Sequence, residues 1–110
     1  MNEIIGLPVL VSERHRIVIN RSFRDLLNIP ETGSVQVIIN RNRLQVFPDV
    51  VELKGGVRKD ISAGRFNLPM EWVRANGVEV GDYVFLIAAE DCILVCPSIK
   101  FSTFSQEGQL

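Results

Sequence analysis

Apolar residues occur in short stretches along this chain, and polar or glycine-containing turns separate them. Each stretch holds four to six residues, which is the usual length of a β-strand. The pattern therefore predicts a fold that is mainly β with short helices. The predicted strands span residues 7–11, 16–19, 35–39, 44–47, 57–60, 65–68, 83–88 and 92–96.

A short amphipathic helix is predicted after the second strand, from residue 20 or 21 to residue 28. Phe23, Leu26 and Leu27 have the i, i+3, i+4 spacing that places apolar side chains on one helix face. Asn20 suits the N-cap, because its side-chain oxygen can accept a hydrogen bond from a backbone N–H of the first turn. A proline and a glycine then stop the helix and turn the chain.

A second short helix is predicted to begin near Pro69, which suits the first turn of a helix. Trp72, Val73 and Ala75 are expected to form its buried face. Asn76 and Gly77 mark its end, since these residues tolerate the left-handed backbone of a helix C-terminus.

The chain repeats its own pattern, because residues 65–97 follow the order of residues 16–48. Each copy has a basic turn, a strand, a short helix, a glycine turn and a hairpin that ends in proline. An offset of 49 residues aligns the first part of the copies. The turn after the helix is one residue shorter in the second copy than in the first. The tip of the second hairpin is one residue longer, which restores the offset. In the hairpin, this alignment pairs Val35 with Tyr83, Val37 with Phe85 and Ile39 with Ile87.

The repeat predicts a domain organisation in which the two copies share one core. Residues 1–48 form the first copy, 49–56 a linker, 57–97 the second copy and 98–110 a tail. Phe23 and Trp72 are expected to be equivalent buried anchors, because each occupies the same place on its helix. A chance similarity of two strand-helix-strand units stays open as the alternative.

Basic residues gather at the start of each copy, although the formal net charge is −1. From residue 79 onward acidic residues predominate. A solvated loop would explain either basic cluster alone, but stacking of the copies would bring both clusters to one surface. The basic residues are Arg14, Arg16, Arg21, Arg24, Arg58, Lys59, Arg65 and Arg74.

Several classes of function find no support in the sequence. No apolar run approaches the ~20 residues of a membrane span, so we expect a soluble, cytoplasmic protein that does not bind membranes. Cys92 and Cys96 would lie about 13 Å apart on one strand, too far for a disulfide, and are expected to be buried thiols. We expect no metal, no cofactor and no enzymatic activity, because ligand spacings, phosphate loops and catalytic triads are not visible.

Residues 57–69 resemble the opening of the AbrB/MazE-type swapped-hairpin domain, also described as SpoVT-AbrB-like. That signature has a basic strand, a turn, Gly-Arg, three residues and Pro, then a short helix, Gly-Val/Ile, Gly-Asp and a hairpin. Residues 78–82 continue the match in order. The first copy departs from it, with His15 in place of glycine, Asn20 in place of proline and Gly33-Ser34 in place of Gly-Asp. His15 either changes the turn geometry or adopts the left-handed backbone that histidine tolerates.

The resemblance covers residues 8–48 and 57–97 and implies a fold and a function. In this family two halves, usually from two subunits, interlock into a β-barrel-like body that contacts DNA through basic residues. Two copies in one chain resemble the MraZ-type tandem plan, which implies a swapped-hairpin AbrB-like β-barrel formed as an intrachain pseudo-dimer. The implied partner is duplex DNA, the implied function is transcription regulation, and the eight basic residues are the implied contacts. Arg16 and Arg65 have a second interpretation, in which each pairs with a neighbouring acid.

Two other functions stay open. One is an antitoxin with a toxin protein as its partner, although residues 98–110 are shorter and less acidic than the toxin-binding tails of MazE-like proteins. The other is an assembly module that has lost its DNA surface, which the overall acidity favours. A homo-oligomer is compatible with all three functions.

Overall fold

The computed structural model describes residues 6–50 and 52–98, so all of the predicted tail except Ser98 lies outside the described residues. The predicted fold class, mainly β with short helices, is confirmed for the described part of the chain. No helix there has the length and apolar character needed to cross a membrane. The strands are β1 (Leu7–Leu10), β2 (Arg16–Val18), β3 (Gly33–Asn40), β4 (Arg43–Pro48), β5 (Val57–Ile61), β6 (Arg65–Asn67), β7 (Tyr83–Ala88) and β8 (Ile93–Pro97). The helices are α1 (Arg21–Leu27) and α2 (Met70–Asn76).

Six strands form one antiparallel sheet in the order β1-β7-β8-β4-β3-β5, and β2 and β6 form a separate two-stranded ribbon. The two hairpins, β3–β4 and β7–β8, pair within one half of the chain. The other pairings join the halves: β1 with β7, β2 with β6, β5 with β3, and β4 with β8. The two halves therefore build one sheet together.

One face of the sheet packs against the ribbon and the helices to form a single core cluster. Alternate residues of the central strands point into it, as the period of a β-strand requires. Ile17 and Phe66 enter from the ribbon, and Trp72 enters from α2. The sheet contributes Val35, Val37, Leu44, Val46, Val84, Leu86, Ile93 and Val95.

The register of the second hairpin corrects the predicted alignment. Val37 pairs with Val46, and Leu86 pairs with Val95, so matching positions stay 49 residues apart without any gap. Phe85, the predicted counterpart of Val37, points away from the core. The error arose because β7 carries apolar residues on both faces, and apolar content alone then fails to fix the register. The same one-residue correction applies to Val35 with Tyr83 and to Ile39 with Ile87.

The turns that precede the two ribbon strands differ in length. The turn before β2 has three residues, Glu13–His15, whereas the turn before β6 has two, Ala63 and Gly64. Arg14 (φ 65°) and His15 (φ 53°) adopt left-handed backbone, as do Ala63 (φ 52°) and Gly64 (φ 77°). His15 thus adopts the left-handed conformation, and its turn is also one residue longer than the other.

The ends of both helices follow the sequence signals. Asn20 Oδ1 accepts a hydrogen bond from the backbone N–H of Phe23 at 2.9 Å, so the predicted N-cap of α1 is confirmed. Asn28 ends α1 and Gly77 ends α2, both in the left-handed conformation. Pro69 directly precedes the first residue of α2.

The predicted buried faces of the helices are only partly correct. Trp72 and Val73 of α2 are buried, but Ala75 is exposed. In α1, Phe23 is only partly buried and Leu26 is 66% exposed. Each helix has seven residues and contacts the core along a narrow stripe, which leaves the flanking positions in solvent.

The two cysteines are free thiols, and the expectation that both are buried holds for one of them. Cys92 is buried, whereas Cys96 is half-buried. Burial raises the pKa of both thiols above the ordinary value for cysteine, which keeps them in the unreactive protonated form at neutral pH.

Candidate nucleic-acid interface

The β2–β6 ribbon carries two of the predicted contact residues on its outer side. Arg16 pairs with Asn67, Ile17 with Phe66 and Val18 with Arg65. Ile17 and Phe66 are buried, and they fasten the inner side of the ribbon to the core. Because side chains alternate along a strand, the four remaining residues share the outer side. We name this surface the ribbon face, made of Arg16, Val18, Arg65 and Asn67.

The ribbon face is positioned by hydrogen bonds at both ends of the ribbon. At one end, Asn67 Nδ2 donates to the backbone oxygen of Arg14 at 2.8 Å, and the backbone N–H of Leu68 donates to that of His15 at 2.9 Å. At the other end, the backbone N–H of Ile19 donates to the oxygen of Gly64 at 2.8 Å. The turn that contains the exposed Arg14 therefore lies directly beside the ribbon face.

Gly64 shows how closely the second turn is packed. A side chain at this position would approach the backbone oxygen of Ile19 at 3.2 Å and the Nε of Arg24 at 3.5 Å. Arg24 is half-buried there, and its Nε donates to the oxygen of Ile19 at 3.0 Å. Arg24 thus connects α1 to Ile19, the residue that is itself hydrogen-bonded to Gly64.

Two other predicted residues already have acidic partners. Arg21, on the exposed side of α1, pairs with Asp25 one turn later at 3.6 Å. Arg58, on β5, pairs with Asp49, with its Nε 2.7 Å from Oδ2 and its second terminal nitrogen 3.3 Å from Oδ1. Lys59 points to the opposite side of β5 and is half-buried.

Asp49 also accepts hydrogen bonds from Ser34 Oγ at 2.5 Å and from Gln36 Nε2 at 2.8 Å. The hydrogen bonds from Arg58, Ser34 and Gln36 hold the pKa of Asp49 well below its ordinary range. The same carboxylate raises the pKa of Arg58. Arg58 is therefore part of a structural network at the sheet edge.

Neither arginine of the ribbon takes part in an ion pair among the described residues. The ion pairs there are Arg21 with Asp25 and Arg58 with Asp49. The side chain of Arg16 makes one long hydrogen bond within the described residues, from its Nε to the backbone oxygen of Glu13 at 3.5 Å. The structure therefore brings together Arg14, Arg16 and Arg65. It places Arg58 and Lys59 on β5, and Arg74 in the exposed last turn of α2.

Sequence reasoning missed Val18 and Asn67 as members of this surface. The signal was present, because a residue two positions from an arginine on a strand shares its side of the strand. The pairing of β2 with β6 was the missing information, since it sets Asn67 opposite Arg16 and Val18 opposite Arg65.

A cleft of about 500 Å³ lies on the outer side of the six-stranded sheet, between the ends of the two hairpins. Arg41 and Arg43 line it together with Asp91, so its charges oppose one another. Within residues 6–50 and 52–98, no cluster of His, Cys, Asp or Glu has the arrangement needed to hold a metal ion.

No protein-family model matches the chain, and no curated protein sequence matches it.

Proposed function

We propose that this chain is a DNA-binding transcription regulator of the AbrB-like type, acting in the cytoplasm, and that it binds duplex DNA through the ribbon face. The observation that supports this proposal is the pair Arg16 and Arg65 on one side of a two-stranded ribbon, where neither forms an ion pair with an acidic residue in the part of the chain that the structure describes. A two-stranded ribbon fits the major groove of B-DNA, and arginine binds phosphate or the edge of guanine through two N–H groups. Arg14, beside the ribbon, adds a third positive charge.

The proposed fold behind this function is an intrachain pseudo-dimer of two AbrB-like repeats that closes into a barrel. The strand pairing, in which Ile17 lies opposite Phe66 and Gln45 lies opposite Leu94, supports the two-fold relation between the repeats, whereas closure into a barrel rests on the resemblance alone. Both pairs join residues 49 positions apart. Equivalent residues face each other directly where a two-fold axis relates two copies of one unit.

Salt-dependent DNA binding tests the proposal, measured by fluorescence anisotropy with the full chain and a labelled duplex. The slope of log affinity against log salt falls by ~0.9 for each phosphate contact that is removed. We expect the double variant Arg16→Ala, Arg65→Ala to bind more weakly and, where those arginines contact phosphates, with a flatter slope. The matched control is Arg41→Ala, Arg43→Ala, which removes the same charge from the opposite side of the sheet.

The proposal is wrong if the folded wild-type chain fails to bind both random duplex and the DNA upstream of its own gene at low salt. It is also wrong if the control pair weakens binding as much as the ribbon pair does. Circular dichroism on both variants verifies that each is folded, so that a loss of binding is not a loss of structure.

The assembly module is the second candidate, and exposed apolar side chains on the outer side of the sheet favour it. Leu10 (49% exposed) lies opposite Tyr83 (52% exposed) on the neighbouring strands β1 and β7. Phe85 is half-buried two residues further along β7. A chain that does not bind DNA but self-associates through this patch would favour the assembly module over the DNA-binding function. The described residues offer no separate support for the antitoxin function.

A further inference from the structure

The two halves of the ribbon face match in one position and differ in the next. Arg16 and Arg65 are 49 residues apart and occupy corresponding places on β2 and β6. Val18 and Asn67 are also 49 residues apart and correspond in the same way. Each arginine therefore has a different neighbour across the ribbon, because Arg16 lies opposite Asn67 and Arg65 lies opposite Val18.

These neighbours have different preferences for bases in the major groove. Arginine binds O6 and N7 of guanine, asparagine binds N6 and N7 of adenine, and apolar side chains contact the methyl group of thymine. Asn67 uses one amide N–H to hold Arg14, which leaves its second N–H and its oxygen free of this contact. Val18 is 39% exposed, so its methyl groups are accessible on an otherwise polar surface.

The direction of the strands sets the arrangement of the two contacts. β2 and β6 are antiparallel, so Arg16 and Arg65 lie diagonally across the ribbon. Their Cα atoms are roughly 7–8 Å apart. Two corresponding residues on antiparallel strands present the same chemistry in opposite directions. An inverted repeat in the DNA has the same symmetry.

We propose that the ribbon face recognises an imperfect inverted repeat, in which each half offers a guanine to one arginine but the neighbouring base differs. That base is adenine in the half read by Arg16 and Asn67, and thymine in the half read by Arg65 and Val18. This inference rests on the DNA binding proposed above, and it adds the class of site that the ribbon selects.

Selection of bound sites from a random duplex library tests the inference, with the full chain as the binding protein. The wild-type chain should select a guanine in both halves and unequal neighbouring bases. Val18→Asn should make the halves equal, with adenine preferred in both. Val18→Thr keeps one γ-methyl group and should retain the thymine preference, whereas Val18→Ala keeps only the β-carbon, which reaches less far from the strand, and should weaken it. The adenine that Asn67 contacts through two hydrogen bonds should favour binding roughly 5- to 150-fold over the wrong base, and the thymine beside Val18 should have a smaller effect because an apolar contact is not bidentate.

The outcomes separate this inference from the proposed function. Wild-type sites with equal neighbours, or a folded Val18→Asn variant that selects the wild-type sites, would overturn the inference. Binding without any sequence preference would also overturn it and would leave DNA binding itself intact. Complete failure to bind duplex DNA at low salt would overturn both.

Discussion

Trp72 joins α2 to the body of the protein through apolar packing and one hydrogen bond. Its side chain is fully buried, and its Nε1 donates to the backbone oxygen of Asn42 at 3.1 Å, in the turn between β3 and β4. Phe23 lies at the corresponding place in α1, 49 residues earlier, but is only partly buried. Corresponding helix positions thus bury unequal amounts of apolar surface.

We predict that Trp72→Ala lowers the free energy of unfolding by ~3–5 kcal/mol, the usual cost of truncating a buried aromatic side chain. Phe23→Ala should lower the free energy of unfolding by only about 1–2 kcal/mol, because Phe23 buries less apolar surface on folding than Trp72 does. Alanine favours helices, so lost helix propensity contributes to neither value. Urea denaturation followed by circular dichroism measures both variants. Equal decreases in the free energy of unfolding for the two variants would contradict this prediction.

At this scale, the sequence predicted contacts within one element better than contacts between elements. Asn20 caps α1 through a backbone N–H only three residues away, so its role follows from local sequence. Burial of Ala75 and Phe23 depends on which neighbouring strands each helix contacts. The apolar pattern of a seven-residue helix is compatible with more than one orientation, and it therefore failed to give the correct buried face.

At the scale of elements, Asp49 links the end of β4 to β3 and β5. It accepts hydrogen bonds from Ser34 and Gln36 of β3 and forms an ion pair with Arg58 of β5. Gln36 is buried, and its Oε1 accepts a hydrogen bond from the backbone N–H of Leu53 at 3.0 Å. The segment predicted as a linker is therefore attached to the sheet at both Asp49 and Leu53.

We predict that Asp49→Asn lowers the Tm at neutral pH. The pKa of Asp49 is lower in the folded chain than its ordinary, unfolded value, so its charged form stabilises the fold above that ordinary value of about 4. This stabilisation is lost as the pH falls through and below that value. The difference in Tm between wild type and variant should consequently shrink in acid.

The matched control is Asp25→Asn, which breaks the exposed pair with Arg21. Exposed pairs contribute little to stability, so its Tm should remain close to that of the wild type. Thermal unfolding measured at a series of pH values compares the three proteins. A difference for Asp49→Asn that is the same at every pH would show that its charge is not responsible.

The Asp49 network also shows what a cluster of basic residues in the sequence does not reveal. Arg58 belongs to a basic cluster in the sequence, but its acidic partner comes nine residues earlier, beyond the end of β4. Charge clustering identifies exposed cations without showing which are neutralised in the folded chain. Only the register of β5 against β3, which places Arg58 opposite Gln36, brings Arg58 and Asp49 together.

At the scale of the whole molecule, the halves of the chain are interleaved. The six-stranded sheet places β8 and β4 at its centre, with β1 from the first half next to β7 and β5 from the second half next to β3. The ribbon again takes one strand from each half. A half on its own would keep one hairpin and expose the core side of both its hairpin and its helix.

We therefore predict that residues 1–53 and residues 54–110, expressed separately, each lack a cooperative unfolding transition as monomers. A small chain that loses most of its buried apolar surface has too little core to offset its conformational entropy. An equimolar mixture of the two fragments should recover the circular dichroism spectrum and a single transition, because the missing strand pairings can re-form between fragments.

Light scattering must accompany these measurements, because it shows whether each fragment is a monomer. A fragment that folds only as a homodimer agrees with a repeated architecture, since a second copy can supply the missing strands. A fragment that unfolds cooperatively while monomeric would show that the halves do not depend on a shared core.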